Sequence, residues 1–253
     1  MNKEIIDIID NNIILNDIFY NPYYFGYSQD GIFKDVTIDD WHKAAYRLMQ
    51  SIIKIGNGVP YLEATAPWYT PLFLFLEKEN IKGEDIIDIG CELGIPLWDA
   101  VLNNSKNIVG IDMVDNKPNY FLEKIKYIQC QILDLQQIYN SLNKISHVGG
   151  ILNCTEVLEH LPYNSVSSFI LFCQNIKPDY LYFTTPTFLY PDGFLKPWQH
   201  YKTLPMWQGQ FLGDQPHVKS WESFEIEEFI CDLGYKKIGS FRGYYRIGII
   251  AGK

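Results

Sequence analysis

From Asp85 onward, short apolar runs alternate with stretches of helical periodicity, and this alternation limits the possible folds more than any other feature of the chain. Asp85–Ile89, Asn107–Ile111, Lys126–Gln131, His147–Asn153 and Tyr180–Thr185 have the length and composition of buried strands. Between or after them, Pro96–Asn103, Asn164–Gln174 and Glu222–Leu233 predict helices, the first with proline in its opening turn and the last with Ser220 or Ser223 as a cap. Tyr235–Phe241 and Tyr245–Ala251 close the chain as a strand pair. Strands separated by helices pair in parallel, so the expectation is an α/β fold with a doubly wound, mainly parallel sheet.

Residues 1–80 follow another pattern and are expected to form an N-terminal helical cap or extension, with 81–253 as the main domain. Trp41, Ala45, Leu48, Ile52 and Ile55 recur at helical spacing and predict a helix over Asp39–Ile55, capped by Asp39 or Asp40. A second helix is expected over Thr70–Glu79. The aromatic stretch Phe19–Tyr27 contains Pro22 and Gly26 and predicts a loop, a cap or a dimer surface. The segment 186–221 holds Pro186, Pro191, Pro197, Pro205 and Pro216 and is too long for a simple connection. Because it follows the carboxyl end of a strand, it is expected to be a lid over a binding site.

Composition narrows the partners. A net charge of -9 with 21 Lys and Arg argues against a polyanion, since nucleic acids are held chiefly by cations on phosphate. Cys91, Cys130, Cys154, Cys173 and Cys231 contain no C-x-x-C pair and lie in or beside apolar runs, as reduced structural thiols do. The start Met1-Asn2-Lys3-Glu4 has acids within its first ten residues and no long apolar region, unlike a signal peptide, and no apolar run reaches spanning length, so a cytoplasmic protein is expected. Aromatics at 15% suggest an aromatic-lined pocket or an interface.

The first strand runs through Asp88 into Gly90-Cys91-Glu92-Leu93-Gly94. Glycine in such a turn admits unusual backbone angles and a close ligand. Asp112 lies 22 positions after Gly90 at the end of the second strand, where a carboxylate accepts from ribose hydroxyls. The G-x-G-x-x-G spacing that cradles a pyrophosphate is absent. The stretch instead resembles motif I of the class I S-adenosylmethionine (AdoMet) methyltransferases, with Asp88, Gly90, Cys91 and Gly94 matching and Glu92 replacing the middle glycine. Asp112, followed by Met113, matches the family's ribose-binding acid. Asp134-Leu135 follows the third strand, where the family places an acid near the adenine amino group. Asn153-Cys154-Thr155-Glu156-Val157-Leu158-Glu159-His160-Leu161 resembles its "EVLEHL" segment, and Lys177-Pro178 its turn before the fifth strand. The resemblance covers Ile86 to Lys253 and implies AdoMet as cofactor and a seven-stranded sheet whose last strand is antiparallel. By analogy of fold, Tyr23, Tyr24, Trp68 and Tyr69 are candidates to close over the cofactor. The competing readings are another nucleotide ligand and, for Asp112 alone, a solvated strand-end acid.

Glu156, Glu159 and His160, at i, i+3 and i+4, share one face if the segment is helical, and His217 follows at the end of the lid. Three roles stay open: His160 or His217 as a general base oriented by a carboxylate such as Glu156, a divalent cation held by Glu156, Glu159, His160 and His217, or structure alone. The E-x-x-E-H segment resembles that of small-RNA 2′-O-methyltransferases and quinone-biosynthesis O-methyltransferases, both of which can use metal there. Trp198, His200 and Tyr201 in the lid, with Trp207, are candidates to contact the acceptor, the alternative being that they pack the lid onto the core. His42 and His147 are expected to be structural. The resulting expectation is an O-methyltransferase acting on a small hydroxylated acceptor, a sugar or nucleotide-linked sugar, from a chain able to form a homodimer. The alternatives are a metal-dependent RNA 2′-O-methyltransferase and a non-catalytic binding or scaffold protein.

Overall fold

The computed structural model describes residues 28–55, 59–113, 123–130, 140, 149–161, 163–186, 210–212, 215–217, 221–242 and 246–253. Its centre is an eight-stranded sheet. In chain order the strands are β1 (Ser28–Gly31), β2 (Ile86–Ile89), β3 (Ile108–Asp112), β4 (Ile125–Gln129), β5 (Ile151–Thr155), β6 (Tyr180–Pro186), β9 (Lys236–Arg242) and β10 (Arg246–Gly252), with β7 (Gln210–Leu212) and β8 (Gln215–His217) forming a separate hairpin. The order across the sheet is β1-β9-β10-β6-β5-β2-β3-β4. β4, β3, β2, β5 and β6 run parallel, whereas β10 is antiparallel to both β6 and β9. The doubly wound α/β expectation holds, including the antiparallel last strand. The eighth strand, β1, was not expected. Its sequence Ser-Gln-Asp-Gly has no apolar alternation, and it joins the edge only by pairing with β9.

Helices cover both faces. On one lie α1 (Ile38–Ile55), α2 (Val59–Lys78) and α3 (Ile95–Leu102); on the other lie α4 (Tyr163–Ile176) and α5 (Ser223–Asp232). Because successive strand residues point to opposite faces, Ile86, Ile108 and Ile151 enter the core with α1–α3, while Ile87, Val109 and Leu152 enter the core with α4 and α5. Such strands are apolar on both sides, which is why their sequences are continuous runs.

Trp41, Ala45, Leu48, Ile52 and Ile55 are all buried, as their spacing predicted. The cap differs from expectation. Thr37 accepts from the Asp40 N–H through its hydroxyl (3.2 Å), and Asp40 accepts from the Thr37 N–H (3.0 Å), a reciprocal box that places the start at Ile38. α2 begins eleven residues before the expected Thr70 and runs through Pro60, Pro67 and Pro71. Buried residues of α1 and α2 share one core with the sheet, and Arg47 of α1 makes a buried two-pronged contact with Asp99 of α3, at 2.7 Å on each prong, and reaches Glu77 of α2. Part of the aromatic surplus fills the opposite core, where Phe169, Phe183, Phe229 and Trp221 are packed ring to ring. All five cysteines are free thiols, four of them buried. Among the described residues, no helix is long and apolar enough to cross a membrane.

Candidate functional site

Strand order reverses at β2, which pairs with β3 on one side and β5 on the other. Open α/β sheets bind ligands at such a switch point, at the carboxyl ends of the strands. The Asp88–Gly94 turn emerges there. Gly90 (φ 69°) and Gly94 (φ 66°) take left-handed backbone, and so does Glu92 (φ 34°). The residue that departs from the glycine pattern therefore still adopts a glycine-like turn. That turn aims the Glu92 N–H at Asp112, which accepts it at 2.8 Å. Gly90 and Cys91 donate their N–H groups to the Ile111 carbonyl, tying the turn to the end of β3. A Cβ on Gly90 would lie 2.5 Å from Cγ2 of Val157, so the β2 turn and the segment after β5 approach as closely as glycine allows.

Asp88 is fully buried. It is in register with Gly110 and Asn153, on the face covered by α1–α3, and one carboxylate oxygen accepts from the Asn153 amide at 2.5 Å. The other oxygen is buried without a hydrogen-bond partner. Burial pushes the Asp88 carboxyl up to about 7; the Asn153 amide opposes this and the Asp112 charge adds to it. Burial and the same Asp112 charge also raise Glu92. Three carboxyl groups thus surround one turn, with the charge of Asp112 raising the other two, so the turn suits a cationic ligand better than a pyrophosphate.

The other predicted cofactor residues divide by position. Met113 is exposed at the rim next to Asp112. Cys91 and Cys154 are fully buried, Cys91 against Gly110 and Cys154 in the core with α4 and α5, so only their backbone remains for a ligand. Burial drives both thiols upward. The Asn153 amide is spent on Asp88 and its oxygen accepts from Thr155, so it positions the acid. Tyr69 is a core residue. His42 is exposed on α1. Asp134, Leu135, His147, Tyr23, Tyr24, Trp198, His200, Tyr201 and Trp207 lie outside the described residues.

The E-x-x-E-H segment is not one helical face. Glu156 leaves β5 with left-handed backbone (φ 56°), and only Leu158–His160 forms a single 3₁₀ turn. Glu156 accepts from the Thr184 hydroxyl at 3.0 Å and Glu159 from the Thr185 hydroxyl at 3.2 Å. Adjacent strand residues point to opposite faces, so the two glutamates are drawn to opposite sides of β6. Glu159 is 1% exposed; burial, and then the charge of Glu156, drive its carboxyl well upward. His160 Nε2 stands 3.9 Å from Glu159 Oε1. His217 sits on β8, which packs against the 3₁₀ turn; its side chain is outside the described residues. Among the described residues, no three His, Cys, Asp or Glu side chains converge as a metal site.

Sequence reasoning missed the partner of Glu156. Arg246, at the start of β10, places Nη1 2.9 Å from Glu156 Oε2. Its guanidinium lies 4.7 Å above the Trp68 ring, and the Trp68 carbonyl accepts from the Tyr182 hydroxyl at 2.6 Å. Burial raises the Glu156 carboxyl, with Arg246 and Thr184 opposing. Trp68 was expected near a cofactor; it covers Arg246.

No protein-family model matches the sequence, and no curated protein matches it. The fold is similar to several solved structures. One is a Burkholderia thailandensis 1,6-didemethyltoxoflavin-N1-methyltransferase with bound 1,6-didemethyltoxoflavin and S-adenosylhomocysteine (14% identity, 71% of this chain and 75% of that one, TM-score 0.47). Another is the methyltransferase domain of a bacterial Hen1 (17%, 72% and 96%, TM-score 0.44). A third is a SAM-dependent methyltransferase from Aquifex aeolicus (14%, 70% and 86%, TM-score 0.40).

Proposed function

We propose that the chain is an AdoMet-dependent O-methyltransferase acting on a small hydroxylated acceptor, a sugar or nucleotide-linked sugar. The observation that carries the cofactor assignment is the acid-ringed turn at the switch point. Asp88 is buried with an unpartnered oxygen, Gly90 has no room for a side chain, and Asp112 is bound to the turn itself. A dinucleotide would bring a pyrophosphate, which this turn repels. AdoMet, with its sulfonium and ammonium, fits the charge. Bound there, it supplies a methyl group on a cationic sulfur.

In this reading Asp112 holds the ribose and Asp88 sets the turn and its field. Glu156, one strand from β2 and so about 5 Å along the sheet, is the nearest carboxylate to the acceptor side. A neutral hydroxyl is a poor nucleophile and needs a base. Glu156 is the base assigned here, with its carboxyl raised by burial against the opposing charge of Arg246; His160 and His217 border the same turn as proton carriers. Trp198, His200 and Tyr201 are assigned to the acceptor, and Asp134 to the adenine. The acidic chain favours a small acceptor over RNA. The test is transfer of label from AdoMet across a panel of hydroxylated sugars, nucleotide sugars and RNA. Labelled sugar is the expected result; label in RNA alone would overturn the acceptor assignment.

A further inference from the structure

We propose that Arg246 supplies, beside Glu156, the positive charge that a divalent cation would bring to an E-x-x-E-H segment, so that the acceptor half of the site is a carboxylate–guanidinium pair. This rests on the methyltransferase reading above. The first observation is the donor geometry. Glu156 and Glu159 are bound to Thr184 and Thr185, which point to opposite faces of β6, and the two carboxylates do not close on a common centre with His160. The second is what stands against Glu156 instead. Arg246 Nη1 is 2.9 Å from Oε2, and both side chains are largely buried, at 7% and 19% exposure.

The third observation points to a ligand. Arg246 is nine-tenths buried, yet among the described residues its Nε has no hydrogen-bond acceptor, and Nη1 meets Glu156 as an ion pair without a well-formed hydrogen bond. Buried guanidinium N–H groups are costly to leave unmet, and the Trp68 ring that covers one face of the guanidinium accepts no N–H in its plane. Because β10 is antiparallel, Arg246 pairs with Pro186 at the carboxyl end of β6, on the same rim as Glu156. A hydroxyl oxygen at this rim can accept from Arg246 while giving its proton to Glu156; the proton then leaves to solvent. A metal selects a chelating pair of oxygens, whereas a carboxylate–guanidinium pair serves a single hydroxyl. The pair therefore needs one acceptor hydroxyl and no second oxygen adjacent to it.

Manganese(II) alone, titrated into the full chain and followed by electron paramagnetic resonance, tests this without knowledge of the acceptor. Wild-type protein is expected to show no binding that Glu156→Gln removes. Arg246→Ala, which takes away the resident charge but leaves the two glutamates on opposite faces of β6, is expected to gain no Glu156-dependent manganese site and to lower the urea midpoint, a loss that Arg246→Ala with Glu156→Gln partly restores because the unpaired buried carboxylate is gone. Arg246→Met, which retains most of the stem over Trp68, provides the same comparison if Arg246→Ala does not fold. Glu156-dependent manganese binding by wild type or by a folded Arg246 variant would overturn the proposal, as would additive stability losses at Arg246 and Glu156. Calorimetry with S-adenosylhomocysteine on the same samples separates the two claims. Failure to bind it sinks the methyltransferase reading, whereas normal binding alongside a Glu156-dependent manganese site sinks this inference alone.

Discussion

Replacing Gly90 with alanine tests the contact that brings the β2 turn against the segment after β5. Two separate costs follow from the structure. At φ 69° an alanine sits in left-handed backbone, which costs about 1–2 kcal/mol. Its Cβ would also stand 2.5 Å from Cγ2 of Val157, well inside contact distance, and overpacking of that kind costs about 1–3 kcal/mol. Gly90→Ala is therefore expected to lose about 2–5 kcal/mol in urea unfolding. Val157 is 4% exposed, and truncating it to alanine removes about two methylene equivalents, or about 2 kcal/mol. In the double variant the obstructing methyl is gone, so only the backbone strain of Gly90→Ala remains. The two changes should be less than additive by about 1–3 kcal/mol. Additivity within about 0.5 kcal/mol would refute the contact.

The buried acids give two further expectations. The Asp88 carboxyl is raised from 3.8 to about 7 in the fold, so the native state holds a proton that the unfolded chain releases. Stability is then fully present below about pH 4 and falls as pH rises toward 7, by up to about 4 kcal/mol. Asp88→Asn should flatten that slope in urea midpoints between pH 4.5 and 7.5; a wild-type-to-variant difference that does not change with pH would show that Asp88 is not the group responsible. The two glutamates should also separate in chemical unfolding at neutral pH. Glu159→Gln replaces a carboxyl that burial drives well upward and that pairs with no Lys or Arg among the described residues, and should cost under about 1 kcal/mol, whereas Glu156→Gln leaves Arg246 buried beside a neutral amide and should cost about 3 kcal/mol. Equal losses would contradict the assignment of the ion pair.

The turn after β2 was legible because its residues are local. Asp88, Gly90 and Gly94 lie on one strand–turn–helix, and Asp112 ends the next strand, so spacing along the chain is close to spacing in the fold. The surroundings of Glu156 were not. Arg246 is 90 positions from Glu156 and meets it only because β10 turns back antiparallel beside β6. The i, i+3, i+4 spacing suggested one helical face, but the left-handed backbone at Glu156 breaks the helix before it starts. α2 was underestimated because Pro67 and Pro71 normally interrupt a helix; here Leu72, Phe73, Leu74, Phe75 and Leu76 are buried all round, so tertiary packing outweighs the local preference. β1 was invisible for the opposite reason, since Asp30 fixes the edge through the Ser240 N–H (2.6 Å) and hydroxyl (2.8 Å), contacts with no signature in local sequence.

The central claim is that the acid-ringed turn at Asp88–Gly94 is an AdoMet site. Calorimetry of the full chain with S-adenosylhomocysteine, AdoMet and NAD measures it directly. One site per chain is expected for the first two, with no binding of NAD and at least a tenfold weakening in Asp112→Ala. Binding of NAD in preference, or no binding of S-adenosylhomocysteine at millimolar concentration, would contradict it.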